Sequence, residues 1–412
     1  MPQSATTLPS MLAVPGSAPA AARAVFALLA KLRVGRLDVQ LPDGSQAHFG
    51  QAGAGSDGPH ATLRLRNWNV CSAALRSGDI GVAETYIAGD WTTTDLAALL
   101  GLFIANREAL DSVVYGHWWG SLLHRMRHWL NRNSRAGSRR NIHAHYDLGN
   151  AFYRLWLDPT MNYSSAWFQG DRQQPMAQAQ QAKMRRALGE CRLRDGQRLL
   201  EIGCGWGALA ECAVREYGAR VTGVTLSTEQ LAFGRQRLAN GGLLGQAELR
   251  LQDYRDIADG PFDAIVSIEM FEAVGRDYWA SWFDTVRRNL APGGRACVQT
   301  ITIRDDLFDR YVSGTDFIQQ YIFPGGLLPS PAAFRAEAQR AGLVVEQELA
   351  FGRDYAETLR RWRADFLRQD EAVRAQGFDT RFVRTWEFYL AYCEAAFEAG
   401  NTDVMQFTLR HA

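Results

Sequence analysis

Strands and helices alternate through residues 197–303, and this alternation limits the possible folds more than any other feature of the sequence. Short apolar runs such as "QRLLEIG", "ARVTGVT" and "FDAIVSIE" have the length of buried strands. The segments between them have the apolar spacing of helices, and several end at glycine. Strands that alternate with helices form a parallel sheet covered on both faces. The sequence therefore predicts a doubly wound α/β sheet with five strands in this region.

The regions outside this sheet differ in composition. Residues 1–22 are rich in Ala, Ser and Pro, which is typical of a disordered tail. Residues 23–115 combine an amphipathic helix, alternating segments with Gly-rich turns, and helices broken at "AGDW", which predicts a small α+β domain. Residues 141–412 contain the sheet and form the second domain. Within that domain, residues 303–335 are long enough to be a functional lid.

A basic segment at 116–140 separates the two predicted domains and contains no acidic residue. Its tryptophans and arginines are Trp118, Trp119, Arg125, Arg127, Trp129, Arg132, Arg135, Arg139 and Arg140. Two interpretations stay open: a solvated linker, or a surface for anionic lipid headgroups, which both residue types favour. The net charge of the whole chain is only +1, so binding of nucleic acid through bulk charge is not expected.

A glycine-rich loop follows the first strand of the predicted sheet. In "LLEIGCGWGALA", Gly203, Gly205 and Gly207 stand before a helix, where glycine lets the backbone approach a ligand closely. A dinucleotide-binding enzyme would use a similar loop. Three features favour S-adenosylmethionine instead: Glu201 two residues before the first glycine, the G-x-G-x-G spacing around Trp206, and "LQDYRD" at the end of the third strand.

The second strand ends without the acidic residue that usually binds a cofactor ribose. The sequence there is "GVTLSTEQ", which leaves Thr225 and Gln230 to contact the ribose. Gln230 also stands three residues after Ser227, in the spacing of a helix capping box. The two roles are compatible, and both stay open.

Longer motifs resemble one family of enzymes. "HYDLGNAFYRLWLDPTMNYSSAW", "LLEIGCGWG", "GVTLSTEQ", "LQDYRD", "EMFEAVG", "YIFPGG" and "FGRDY" occur in the order found in cyclopropane-fatty-acyl-phospholipid synthases. Mycolic acid cyclopropane synthases and coclaurine-type N-methyltransferases share much of this frame. The resemblance covers residues 60–412 and includes "GDIGVAETYIAGDWTTTDLAALL" at the front. It implies a Rossmann-like class I methyltransferase sheet with a small N-terminal lipid-associated domain.

The resemblance also implies which residues bind S-adenosylmethionine. The expected contacts are Tyr146, Tyr163 and Ser164 at the methionine end, Gly203 and Gly205 beside it with Gly207 of the same loop, Thr225, Leu226 and Gln230 at the ribose, and Asp253, Tyr254 and Ile268 at the adenine.

Enzymes of this family hold a bicarbonate ion near the reacting methyl group, and the resemblance extends to that site. The matching positions are Ser165, Glu272, Gln299, Ile301 and Tyr355. Cys393 matches a cysteine sometimes assigned as a nucleophile, although the reaction needs no thiolate and a core position is the simpler interpretation. The predicted catalytic residues are therefore Glu272, Tyr355, Ser165, Gln299 and Cys393, with bicarbonate as a second cofactor.

Four positions on the presumed reaction face depart from the family pattern. Ser165 and Gln299 stand where most synthases have Cys and His, Ala273 replaces a common His, and Glu269 stands where many bacterial members have Gly. A serine keeps the backbone N–H and a glutamine still donates a hydrogen bond, so these changes do not abolish an anion site. We hypothesise that they bias proton loss or substrate choice away from the ordinary synthase. Neutral drift is the alternative.

The implied reaction is methyl transfer from S-adenosylmethionine to the double bond of an unsaturated phospholipid acyl chain. The alkene becomes a carbocation, so the site needs a dry pocket, a stabilising anion and a base, and Glu272 near Tyr355 is expected to supply them. Loss of different protons gives a cyclopropane or a methyl- or methylene-branched chain. The alternatives are N-methylation of a small amine, with Glu269 as the base, and a non-catalytic lipid-binding protein.

Aromatic residues in the predicted lid have two possible roles. They either line a tunnel for the acyl chain or belong to a helical cover over the edge of the sheet. The residues concerned are Phe308, Tyr311, Phe317, Tyr321 and Phe323.

The sequence also indicates where the protein acts. No apolar run reaches the roughly 18–20 residues of a membrane span, and the N-terminal apolar segment lacks the basic start of a signal peptide. We therefore expect a cytoplasmic protein that contacts the inner face of the membrane peripherally, through anionic lipids. The expected partners are the unsaturated phospholipid and, by resemblance, a second copy of the chain in a homodimer.

Overall fold

The structure is a computed structural model that describes residues 18–50, 58–110 and 148–412. The basic segment 116–140 lies outside the described residues, as do the first 17 residues of the predicted tail. A helix begins at Ala20, within the segment predicted as a tail.

The chain divides into two units, which are described separately. The first unit contains the described residues up to 110 together with Asp379–Ala395, and the second contains Leu148–Phe378 and Ala396–Ala412. The segment Asp379–Ala395, which the sequence analysis assigned to the second domain, thus groups with the first unit.

The first unit combines helices with a four-stranded sheet of order β2-β1-β3-β4. Its strands are β1 Arg36–Gln40, β2 Gln46–Gly50, β3 His60–Leu65 and β4 Trp91–Thr92. Its described helices are Ala20–Leu29, Asn69–Ala88, Leu96–Ala105 and the first part of Thr380–Glu398. The last of these is tied in by the Tyr86 hydroxyl, which donates to Glu387 at 2.6 Å, and by the Tyr392 hydroxyl, which donates to Asp79 at 2.7 Å.

The second unit is built on a seven-stranded sheet of order β10-β11-β9-β8-β5-β6-β7. Its strands are β5 Arg198–Ile202, β6 Arg220–Thr225, β7 Ala247–Leu251, β8 Phe262–Ile268, β9 Leu290–Ile303, β10 Leu343–Ala350 and β11 Thr402–His411. Strands β5 to β9 are parallel and match the five predicted strands. β11 runs antiparallel between β9 and β10, a pairing that the sequence analysis did not predict.

Helices cover both faces of this sheet, which confirms the predicted doubly wound α/β fold. They are Gly149–Tyr153, Met176–Glu190, Ala208–Tyr217, Thr228–Asn240, Trp279–Asn289, Asp305–Ser313, Phe317–Tyr321, Pro331–Arg340, Gly352–Arg368, Asp370–Ala375 and the end of Thr380–Glu398. None of the helices in the described part of the chain has both the length and the apolarity that crossing a membrane requires.

Two hydrophobic cores lie on opposite faces of the sheet, and neighbouring residues of one strand enter different cores. Leu199 packs with Leu188 and Leu209 on one side. Leu200 packs in the cluster of Phe283 and Phe334 on the other side. Because side chains alternate across a strand, a strand buried on both faces must be apolar at successive positions. The adjacent leucines of β5, Leu199 and Leu200, follow from this.

The predicted lid contains two short helices and the start of a third, and its aromatic rings pack on protein. The ring of Phe308 lies 6.4 Å from that of Trp279, and Phe317 stacks on Tyr321 at 5.3 Å. Tyr311 packs on the core that contains Phe334. The lid also contacts the loop after β8, since the backbone N–H of Leu327 donates to the Glu272 carbonyl at 2.9 Å. These contacts agree with a cover over the sheet, and a role of the aromatic residues in an acyl tunnel stays a prediction.

Candidate active site

A cavity opens where the parallel strands reach their carboxyl ends. β5 leads there through the loop Gly203–Gly207 into the helix Ala208–Tyr217. The predicted cofactor residues that line the cavity are Tyr163, Ser164, Gly203, Gly205, Thr225, Leu226, Gln230, Tyr254 and Ile268. Open α/β sheets generally bind ligands at this edge. Tyr146 lies outside the described residues, and its role stays a prediction.

Gly207 is a packing position, although the sequence analysis assigned it to the cofactor. It is absent from the cavity lining in the described part of the chain. A Cβ at Gly207 would lie 3.2 Å from the Cα of Gly234, in the helix Thr228–Asn240. At Gly205, by contrast, an added Cβ would meet no atom within 4 Å. Gly207 therefore lets two helices approach closely, and Gly205 keeps the loop open beside the cavity.

This difference predicts different effects for two matched alanine variants. Both glycines have positive φ, +48° at Gly205 and +80° at Gly207, so each change strains the backbone. Gly207→Ala adds the clash with Gly234 and should lower the free energy of unfolding by about 2–3 kcal/mol. Gly205→Ala should cost about 1 kcal/mol of stability but weaken S-adenosylmethionine binding about tenfold. Denaturant unfolding and calorimetric titration measure the two effects, and equal loss of affinity in both variants would contradict the assignment.

The end of β6 supplies polar groups to the ribose side of the cavity. The Thr225 hydroxyl donates to Gln230 Oε1 at 3.0 Å, and both residues are buried. The Ser227 hydroxyl accepts from the backbone N–H of Gln230 at 3.2 Å and caps the helix Thr228–Asn240. Gln230 therefore takes part in the cap through its backbone, while its side chain is held by Thr225 at the cavity wall.

Asp253 holds a neighbouring arginine and does not line the cavity itself. Its buried carboxylate accepts from Nε and Nη2 of Arg255 at 2.8 and 2.6 Å. Arg255 lines the cavity, and its guanidinium lies over the rings of Tyr254 and Tyr278. Asp253 is thus placed to orient Arg255 at the cavity, and its predicted contact with the adenine stays a prediction.

Glu201 provides the clearest test of whether the cavity fits S-adenosylmethionine. It is 4% exposed at the end of β5 and lines the cavity. Its Oε2 atom has no hydrogen-bond partner among the described residues. Burial raises the pKa of Glu201 to about 8. A buried acidic oxygen without a partner suits a cationic ligand, so the residues present fit the positively charged cofactor, with Gly203 and Gly205 beside it.

Glu269 forms the centre of a hydrogen-bonded network at the end of β8. It lines the cavity, and its Oε1 accepts from the backbone N–H of Ser165 at 2.9 Å and from Gln299 Nε2 at 2.7 Å. Its Oε2 accepts from the Tyr355 hydroxyl at 2.7 Å. The sequence analysis expected Tyr355 to act with Glu272. The structure places it against Glu269 because the chain turns at positive φ directly after β8.

A second layer of side chains orients Gln299. The amide oxygen of Gln299 accepts from Gln406 Nε2 at 2.9 Å, and the two residues face each other across β9 and β11. Gln406 Oε1 in turn accepts from Arg186 at 2.6 Å. Because Gln406 takes the oxygen, the Gln299 amide nitrogen points at Glu269. Gln406 lies in the strand that was not predicted, so the sequence contained no signal for this contact.

Lys183 places a buried positive charge near the same acids. It is 0% exposed, and its Nζ donates to the Ser164 hydroxyl at 2.5 Å. Burial lowers the pKa of Lys183 to about 8, and the charges of Glu269, Asp158 and Glu201 act in the opposite direction. The sequence analysis missed this residue. One signal was available, because Lys31 and Lys183 are the only lysines of the chain.

Glu272 lies behind the cavity wall. One oxygen accepts from the backbone N–H of Ile301, and the buried Oε2 has no hydrogen-bond partner among the described residues. Burial and the negative charge of Glu269 together raise the pKa of Glu272 to about 8. Burial also raises the pKa of Glu269, but Lys183 and three donors favour its charged form. Of the two acids, Glu272 therefore holds a proton more readily.

The remaining two predicted catalytic residues, Ser165 and Cys393, are absent from the described cavity lining. Ser165 is fully buried, and its hydroxyl donates to the Ala166 carbonyl at 2.9 Å, so only its backbone N–H contacts Glu269. Cys393 belongs to the first unit and is absent from the described cavity lining. A catalytic role for Cys393 stays a prediction.

Comparison with known proteins now identifies the family. The model of the mycolic acid cyclopropane synthetase family matches residues 133–407. The chain belongs to this family. A tuberculostearic acid methyltransferase of Mycobacterium tuberculosis is 40% identical over 341 residues, which are 81% of this chain and 79% of that protein. A cyclopropane-fatty-acyl-phospholipid synthase of Escherichia coli is 34% identical over 348 residues, 84% of this chain and 87% of that protein.

A solved structure agrees with the family assignment. The mycolic acid cyclopropane synthase complexed with SAH and CTAB is 35% identical, with a TM-score of 0.62, and covers 66% of this chain and 97% of that one. The family and this neighbour establish a class I methyltransferase fold and S-adenosylmethionine as the cofactor. The protein is an S-adenosylmethionine-dependent methyltransferase of the cyclopropane synthase family.

Proposed function

We propose that the protein transfers the methyl group of S-adenosylmethionine to the double bond of unsaturated acyl chains in phospholipids. The product is a cyclopropane or a methyl- or methylene-branched chain. The cofactor supplies an electrophilic methyl group when bound. The chain supplies the rest: a pocket that excludes water, a negative charge beside the cation and a group that accepts a proton.

The observation that carries this proposal is the Glu269 carboxylate in the cavity wall. Its carboxylate is held at the wall by three hydrogen-bond donors, and Ile268, Met270 and Val274 also line the cavity. A carboxylate in such a water-poor wall stabilises a carbocation far more than one in bulk water. The E. coli relative named as a phospholipid enzyme, which spans 84% of this chain, supports a phospholipid substrate.

We also propose where the enzyme contacts its lipid substrate. We propose peripheral contact with anionic lipids at the inner face of the membrane, through the arginines and tryptophans of segment 116–140, and a homodimer as the working assembly. The composition of the segment supports the first point, since basic and tryptophan side chains both favour a membrane surface. The dimer rests on family resemblance.

The test is product analysis in a bacterial host that lacks its own synthase. The host expresses this protein and is fed methionine with a trideuterated methyl group, and its lipids are analysed by gas chromatography and mass spectrometry. We expect acyl chains that have gained one labelled carbon. A cyclopropane chain keeps two deuterium atoms and no double bond. A methyl-branched alkene keeps three, and a methylene-branched chain keeps two together with a double bond.

A Glu269→Gln variant at the same expression level is the matched control, and it should give little labelled acyl product. Label on amines with none on acyl chains would overturn the proposal in favour of an N-methyltransferase. Absence of label from both, with cofactor binding intact, would point to a non-catalytic lipid-binding protein.

A further inference from the structure

The site that the family uses for bicarbonate is already filled by side chains in this protein. The resemblance places that ion among Ser165, Glu272, Gln299, Ile301 and Tyr355. Three of these donate to Glu269: the backbone N–H of Ser165, the amide of Gln299 and the hydroxyl of Tyr355, at 2.7–2.9 Å. The backbone N–H of Ile301 donates to Glu272.

The residues present therefore do not fit an additional anion. Each donor of the expected site is bonded to a carboxyl group of the protein. A free anion would also have to enter beside the enclosed Glu269 carboxylate, and like charges in an enclosed site repel strongly. A carboxylate and a bicarbonate present the same planar pair of oxygens, so the side chain can use the same donors.

We propose that the Glu269 carboxylate takes the place of the bicarbonate ion and accepts the proton released after methyl transfer, so that the enzyme works without bicarbonate. This inference rests on the proposed methylation of an alkene. In that reaction the π electrons of the double bond form the new bond to the methyl carbon, while the electrons of the sulfur–methyl bond stay on sulfur. The second alkene carbon becomes a cation.

Glu269 then takes a proton from a chain carbon next to the cation, which gives a methyl-branched alkene, or from the transferred methyl group, which closes the cyclopropane. For a methylene-branched chain, a hydride first shifts from the methylated carbon to the cationic carbon, and Glu269 then takes a proton from the methyl group. The electrons of that C–H bond form a new double bond or close the ring, and the neutral acid returns its proton to water after the product leaves. The three donors fix the carboxylate in advance, which avoids the cost of ordering a free ion. Enclosure of the side chain raises the pKa of Glu269, which makes it a stronger base than an exposed glutamate.

The backbone conformation of Glu269 also indicates that its side chain has a specific role. Glu269 has φ +48°, a conformation that costs a non-glycine residue about 1 kcal/mol or more. The backbone N–H of Glu269 donates to the Gln299 carbonyl at 2.8 Å and holds the turn. Such strain is usually kept where a side chain has a specific task.

The test is the Glu269→Gly variant, since glycine adopts this φ without strain and leaves the donors in place. Turnover is measured with purified protein, S-adenosylmethionine and unsaturated phospholipid vesicles in carbonate-free buffer, with and without added bicarbonate or formate. Wild-type turnover should not change on adding either anion. Turnover of Glu269→Gly should fall about 100-fold or more without anion and recover at least about tenfold with it.

Two further variants serve as controls. Glu269→Gln fills the same space, so it should be inactive with or without added anion. Arg192→Gly changes an exposed residue with φ +52° and should behave as wild type, which separates loss of the carboxylate from relief of backbone strain. Full activity of Glu269→Gly without anion, or a wild-type enzyme that needs bicarbonate, would overturn the proposal.

A binding measurement keeps this test independent of the substrate. Labelled formate, followed by carbon NMR, should bind to Glu269→Gly and not to the wild type. If the wild type methylates no acyl chain in any buffer, the proposed function fails while the binding result still decides whether Glu269 occupies the anion site. Formate binding equally well to both proteins would show that it does not.

Discussion

Replacing Lys183 with methionine is expected to lower the free energy of unfolding by about 3–5 kcal/mol near pH 7, because it removes one partner of a buried charge network. Lys183 is 0% exposed and faces the charges of Glu269, Asp158 and Glu201. Methionine has a similar volume, so packing changes little. The loss of stability arises because these three acids must then either stay charged without a counter-charge or take up a proton.

The effect of Lys183→Met should depend on pH in a defined direction. Without the lysine, the pKa of Glu269 rises further, and the folded variant keeps a proton that the unfolded chain releases. Its stability therefore falls as pH rises above the unfolded pKa, by up to about 1.4 kcal/mol per pH unit. Near pH 5 the acids can be neutral, and the loss should be small. Denaturant unfolding at the two pH values measures this.

Two controls define the origin of the loss. Lys31→Met changes the only other lysine, which is exposed, and should leave stability unchanged at both pH values. The double variant Lys183→Met/Glu269→Gln removes both charges and should be more stable than Lys183→Met alone near pH 7. An equal loss at both pH values, or no gain in the double variant, would contradict the charge network.

Replacing Glu201 with glutamine is expected to weaken S-adenosylmethionine binding about 100-fold, since a charge-assisted contact contributes about 1.5–3 kcal/mol. The Oε2 atom of Glu201 has no partner among the described residues and belongs to a residue that lines the cavity. A bound cation favours the ionised form of Glu201. The amide has the same shape but cannot take that charge, so the cationic cofactor loses its counter-charge. Calorimetric titration measures the affinity. Glu216→Gln, on the exposed surface of the next helix, is the control.

The same Glu201→Gln variant should be more stable than the wild type when no cofactor is present. Burial raises the pKa of Glu201 to about 8 from an ordinary value of 4.5. The folded wild type thus keeps a proton that the unfolded chain releases, and its stability falls as pH rises between these values. The amide does not titrate. A variant that binds the cofactor normally, or that is less stable near pH 8, would contradict this account of Glu201.

Local sequence patterns were sufficient to predict the parallel part of the sheet. β5 to β9 are short, largely apolar runs separated by helical or turn segments, and this alternation is typical of a parallel sheet. β11 was missed because "TDVMQFTLRH" contains Gln406 and Thr408, which are polar yet buried. Its pairing with β9 joins residues 99 to 113 positions apart, and no local periodicity contains that information.

The sequence predicted many of the residues of the candidate site but not which of them contact one another. Family resemblance named Ser165, Gln299 and Tyr355, and the departures from the pattern drew attention to Glu269. That Glu269 contacts all three was not visible in the sequence, because they come from four separate segments joined only by the fold. Gly207 illustrates the reverse case, since loop spacing assigned it to the cofactor while the close approach of Gly234 gives it a packing role.

The most direct test of the account is a single reaction in carbonate-free buffer. Purified wild-type protein is mixed with S-adenosylmethionine that carries a trideuterated methyl group and with vesicles of a phospholipid that has a cis-unsaturated chain. We predict that label appears on carbon in the acyl chain, with no requirement for bicarbonate. Label on nitrogen with none on the acyl chain, or acyl labelling only after bicarbonate is added, would contradict the central claim that Glu269 supports methyl transfer to an alkene.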